Sequence, residues 1–166
     1  NKDCKYQILA LLGQGGIGKS KLAQEICLFA QNESYYTVSV QNANDFHNSR
    51  NLILDLIMKL VDVNNEIIIS YENILEKLRN KLGANFSIEW NTSVLNYVLG
   101  EEVYDGDLEN IAKCILTLLI VQLHRKPIFI WFSDMHWASK ETIIILQKLI
   151  NLLKLNNDFL NHNVLL

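Results

Sequence analysis

The chain has 166 residues, enough for one domain with a sizeable core. Apolar residues make up 49% and charged residues 20%, and the formal net charge is −3, so nothing electrostatic favours nucleic acid or an anionic membrane surface as a partner. Three scattered cysteines, Cys4, Cys27 and Cys114, fit neither a disulfide framework nor a metal-ligand spacing, and point to a reducing, cytoplasmic compartment.

Taken in chain order, "YQILALL" (Tyr6 to Leu12) is a short apolar run closed by glycines, which predicts a strand buried on both faces as in a parallel sheet. From Gly18 to about Ala30, Leu22, Ala23, Ile26, Cys27, Phe29 and Ala30 recur at helical spacing. "YYTVSV" (Tyr35 to Val40) alternates and reads as a second strand. "NLILDLIMKLV" (Asn51 to Val61) predicts an amphipathic helix capped by Asn48 or Ser49. Ser70 to Leu82 carries an apolar stripe of Ile74, Leu75, Leu78 and Leu82, and "TSVLNYVLG" predicts a short helix ending at Gly100.

"EEVYDGD" (Glu101 to Asp107) is an acidic turn without the ligand spacing of a calcium loop, and a helix follows it from about Asp107 to His124. The apolar stretch within that helix, "IAKCILTLLIVQL", is broken by Lys113 and Gln122 and is shorter than a bilayer span. Its stripe of Ile111, Ile115, Leu118, Leu119 and Gln122 reads as core or a partner face. Pro127 opens "IFIWFS", a third strand, and "KETIIILQKLINLLK" follows as a helix. Strands alternating with helices predict an α/β fold with a parallel central sheet. The interval between the second and third strands exceeds one crossover helix, so residues 62–126 are expected to form a helical insertion. No signal peptide is present; the chain starts at Asn1 and ends in "NVLL", which looks like the opening of a strand, so residues 1–166 read as one domain of a larger protein, incomplete at its C-terminus.

Between the first strand and the first helix lies "GQGGIGKS". Gly13, Gly18, Lys19 and Ser20 satisfy the G-x-x-x-x-G-K-[ST] pattern of a phosphate-binding loop, with Gly15, Gly16 and Ile17 inside it. Glycines let successive backbone N–H groups curl around phosphate oxygens, and the helix adds its free N–H groups and positive dipole end. In such a loop Lys19 reaches the β- and γ-phosphates and the Ser20 hydroxyl ligates Mg²⁺. Phosphoryl transfer also asks for a carboxylate at the end of a neighbouring strand. Asp134, just past "IFIWFS", is the candidate for both a catalytic and a metal role.

"GQGGIGKSKLAQEI" together with "PIFIWFSDMHWAS" resembles the AAA-type ATPase modules of signal-transducing NTPases (the STAND class). The middle of the chain, "YTVSVQNANDFHNSRNLILDLIMKLV" with its Phe46-His47 pair, is similar to the ATPase module of the soluble adenylyl cyclases. The resemblance implies a P-loop NTPase three-layer sandwich lacking here its later strands and lid. It also implies ATP and Mg²⁺ as ligands, and cyclase domains elsewhere in the same polypeptide making cAMP. The family's metal-organising acid falls on Ser133, its water-activating acid on Asp134, and a trailing acid on Ser139. One acidic role is therefore vacant, which leaves ATP binding intact and hydrolysis doubtful. His136 would be structural or nucleotide-sensing and Trp137 would pack beneath the sheet edge. His47, His124 and His162 have no paired ligand at metal spacing.

Three functions stay open on the sequence. The first is a nucleotide-binding regulatory module, and the second a degenerate scaffold without turnover. The third is a small-molecule P-loop kinase, disfavoured because Arg50, Arg79 and Arg125 form no convincing lid.

Overall fold

The computed structural model describes residues 6–41, 52–62, 71–86, 92–99, 106–155 and 164–165. The proposed cap at Asn48 or Ser49, Phe46-His47, Ser70, Gly100, the acidic turn up to Asp105, Cys4 and His162 lie outside them. The described chain is mixed α/β: β1 (Tyr6–Gln7), α1 (Lys19–Asn32), β2 (Tyr36–Gln41), α2 (Leu52–Leu60), α3 (Tyr71–Leu82), α4 (Thr92–Leu99), α5 (Leu108–Leu123), β3 (Ile128–Ser133), α6 (Lys140–Leu155) and β4 (Val164–Leu165). The strands lie in the order β1-β4-β3-β2, and every neighbouring pair is parallel.

The register sorts the side chains onto two faces. Tyr36 pairs with Ile128, Val38 with Ile130 and Val40 with Phe132; these six belong to the main apolar cluster or pack against it. Thr37/Phe129, Ser39/Trp131 and Gln41/Ser133 fall on the opposite face by the period-two alternation of strands. There α1 lies, burying Ala23 and Ala30 and bonding Gln31 Nε2 to Thr37 Oγ1 at 2.9 Å.

The core is centred on the helices between β2 and β3. Leu52, Leu56, Ile57 and Leu60 of α2, Ile74 and Leu78 of α3, Leu95 of α4 and Ile111, Ile115 and Leu118 of α5 are fully buried. The sequence suggests an amphipathic α2, yet the helix is apolar nearly all round; only Asp55 and Lys59 escape full burial. Such a helix belongs in the middle of a core. The stripe on α5 is core as well, and it includes Gln122, 5% exposed, whose Oε1 finds no partner among the described residues. Asp107 caps α5 by accepting from the Glu109 N–H at 2.8 Å, and α5 packs along α6. No helix among the described residues is long and apolar enough to cross a membrane.

One expectation fails. The run Tyr6 to Leu12 is not a strand buried on both faces: pairing stops at Gln7, Ile8 and Leu9 are exposed, and Leu12 is 91% exposed. Among the described residues β1 stands at the sheet edge and pairs only with β4, at Tyr6↔Val164 and Gln7↔Leu165, and none of them pairs with or covers Ile8 to Leu12. The terminal "NVLL" does contribute a strand, β4, and it enters between β1 and β3.

Candidate functional site

In a parallel sheet all C-terminal strand ends share one edge, where ligands of open α/β folds bind. Here that rim receives the loop after β1 and the turn after β3. Because β4 stands between them, the two segments are about two strand spacings apart, about 10 Å.

The loop owes its shape to two left-handed glycines. Gly16 has φ +79° and Gly18 has φ +98°, a region that side chains with a Cβ rarely adopt. A Cβ at either would meet nothing within 4 Å, so backbone sign and not crowding calls for glycine. Gly18 is also the N-cap of α1 and supplies no side-chain cap, which leaves the first-turn N–H groups directed at the loop. Lys19, the first residue of α1, folds back, and its Nζ donates to the carbonyl oxygens of Gly13 and Gln14, both at 2.7 Å. Ser20 follows on the exposed surface of the first turn. Helical N–H groups, a positive helix end and an inward-turned ammonium form a donor set for an anion.

Past β3 the chain turns sharply. Asp134 sits in the left-handed region (φ 55°, ψ 36°) and heads a 3-10 turn over Met135–Trp137, closed by Trp137 N–H to Asp134 O at 3.0 Å. Asp and Asn tolerate this conformation better than other side chains with a Cβ. The Asp134 carboxylate is exposed. The turn also corrects the reading of Trp137, which does not pack beneath the sheet edge: it is 52% exposed, with the exposed His136 ring 5.1 Å from it. The left-handed residue sends the chain out of the strand's alternation, so the aromatic pair is carried outward.

Ser133 ends β3 on the α1 face beside Gln41, and its hydroxyl lies 3.4 Å from Val40 O. Ser139 has a structural task instead: its Oγ accepts from the Thr142 N–H at 3.1 Å and caps α6. The spacing "SKET" carried that signal. Gln41 carries no sequence signal of its own: the alternating apolar pattern ends at Val40, while the ladder runs one residue further.

As a Mg²⁺ site this rim is poorly furnished. Magnesium in phosphate sites is held by one or two carboxylates plus the ligand's phosphates. The strand-end position here is a neutral hydroxyl, its neighbour Gln41 a neutral amide, and Asp134 lies one residue beyond in the turn. Among the described residues no group of three His, Cys, Asp or Glu could hold a metal ion. Ser20 and Asp134 remain the candidate donors, and no chemical step is routed through a metal.

Comparison of the chain with known protein families, with characterised proteins and with solved structures returned no match.

Proposed function

We propose that the chain is a P-loop NTPase domain that binds ATP through its triphosphate and serves as a regulatory module within a larger signalling protein. The observation that carries this reading is the coincidence of the Gly13–Ser20 motif with its required setting. The loop follows the parallel strand β1 after the irregular residues Ile8 to Leu12 and leads into an uncapped helix N-terminus, and Lys19 is turned back over it. Gly13, Gly15, Gly16, Ile17, Gly18, Lys19 and Ser20 would contact the phosphates. Asp134, the exposed carboxylate of the turn after β3, is the residue on which any activation of water would rest. The resemblance to the STAND-class modules extends the proposal to the three-layer sandwich fold, and the similarity to soluble adenylyl cyclases to a cAMP-signalling parent whose cyclase chemistry lies in other domains.

Thermal unfolding in the presence of ATP, ADP and adenosine tests the reading. A ligand at about one hundred times its Kd stabilises by about 2.7 kcal/mol. ATP and ADP should raise Tm, adenosine should not, and Lys19→Ala should abolish the shift. An unchanged Tm with all three ligands overturns the proposal.

The second reading, a module that binds nucleotide without turning it over, is favoured by Ser133. Turnover by wild type equal to that of Lys19→Ala would support it.

A further inference from the structure

Resting on the nucleotide-binding reading, we infer that this rim takes nucleoside triphosphate without help from a divalent cation, the phosphate charge being met by Lys19 and the loop N–H groups. Four observations converge. The last residue of β3, Ser133, is uncharged and half-buried, on the face of the sheet against which α1 packs. Its register partner Gln41 is uncharged too. Asp134 leaves the strand through a left-handed turn, so its carboxylate does not take the place that the alternation gives Ser133. Asp55, which also reaches the C-terminal end of β2, is already engaged there: it is paired with Lys59 Nζ at 2.7 Å and accepts from the Gln41 N–H at 3.3 Å, on the outer edge of the sheet.

The physical consequence follows from where magnesium finds its ligands. Mg²⁺ dehydrates reluctantly and gains from a protein only through well-placed carboxylates. With a hydroxyl and an amide at the strand ends, the ion would ride on the phosphates about as it does in water and add little to their hold on the protein. It would also remove negative charge that Lys19 attracts. Free ATP and its magnesium complex should therefore bind with similar affinity. A carboxylate at position 133 reverses this: it repels bare phosphate and rewards the metal complex.

The test is the Kd of ATP, by calorimetry, for wild type and for Ser133→Asp, each in excess Mg²⁺ and in EDTA. For wild type the two values should agree within about threefold. For Ser133→Asp the magnesium condition should be tighter by about tenfold, or about 1.4 kcal/mol. Wild-type binding about tenfold or more tighter with Mg²⁺ overturns the inference, and needs no variant to do so. A folded Ser133→Asp without metal dependence overturns it as well, because position 133 then does not face the phosphates. No binding to wild type in either condition, or binding unaffected by Lys19→Ala, removes the nucleotide reading itself and this inference with it.

Discussion

Lys59 and Asp55, one turn apart on α2, together imitate a residue of a missing strand. Lys59 Nζ donates to Ser39 O, and Asp55 Oδ2 accepts from the Gln41 N–H at 3.3 Å while pairing with Lys59 at 2.7 Å. A residue on a parallel neighbour would donate to one position and accept from the position two further on, which is the same pattern. β2 is the outermost strand among the described residues, and an open edge invites pairing with another chain. The pair therefore closes the edge and fixes α2 to it. Lys59→Ala should cost about 1–2 kcal/mol, less than a fully buried charged bond because Lys59 is partly exposed. It should also promote self-association, read by denaturant midpoint and by light scattering.

Gln122 should be replaceable with gain. Its Oε1 is buried at the end of the α5 core stripe without a partner among the described residues, and an unmet buried acceptor costs about 1–3 kcal/mol. Gln122→Leu is predicted to raise Tm, with stability up by about 1 kcal/mol. A fall in Tm would mean that the amide is satisfied in solution.

Acid should loosen the junction of β2, α2 and α3. Partial burial pushes the Asp62 carboxyl up, but hydrogen bonds from Lys81 and Tyr36 and the charges of Lys81 and Arg125 outweigh it and hold it below its ordinary range. The Tyr36 hydroxyl shares its one proton between Lys59 O at 2.7 Å and Asp62 Oδ1 at 2.9 Å, and Lys81 Nζ lies 2.6 Å from Asp62 Oδ2. A lowered folded pKa gives stability that is full above the unfolded value, about 4, and is lost as pH falls through the folded one. Asp62→Asn should flatten that acid decline, followed by the urea midpoint between neutral pH and strong acid. Burial first, then the Asp62 hydrogen bond and charge, push the Tyr36 phenol up. Its contribution is present below its ordinary value of about 10 and lost as pH rises beyond it.

The loop and the turn should separate stability from function. Gly18→Ala forces a Cβ into φ +98° and should cost about 1 kcal/mol or more, whereas Gly15, with no positive φ and open space around it, should accept alanine with no comparable loss. Asp134→Gly relieves a left-handed residue, so stability should hold or rise by up to about 1 kcal/mol. Any ATP turnover should fall. Stability lost at Asp134→Gly would show that the carboxylate is structural.

Local pattern revealed much of this molecule. The glycine spacing of the loop, the helix from Lys19, the alternation of β2 and the stripe of α5 all follow from nearest-neighbour chemistry. Strand order did not, because the placing of β4 between β1 and β3 joins residues more than one hundred and fifty apart in the chain. Pairing of β1 is described for Tyr6–Gln7 alone, although Ile8 to Leu12 look equally strand-like. The exposure of Trp137 was hidden for a related reason: it depends on the single left-handed residue Asp134, and composition does not announce such a turn. The cap at Ser139 follows from local spacing too, since "SKET" sets a serine hydroxyl three residues before the Thr142 N–H that it accepts from.

Backbone amide shifts during an ATP titration, recorded by ¹⁵N NMR, show whether the Gly13–Ser20 loop holds the phosphates. The largest changes should fall on Gly15, Gly16, Gly18, Lys19 and Ser20, and Lys19→Ala should remove them. Changes confined to other parts of the chain, such as the Tyr36–Asp62–Lys81 junction, or a loop that stays unmoved at saturating ATP, would contradict it.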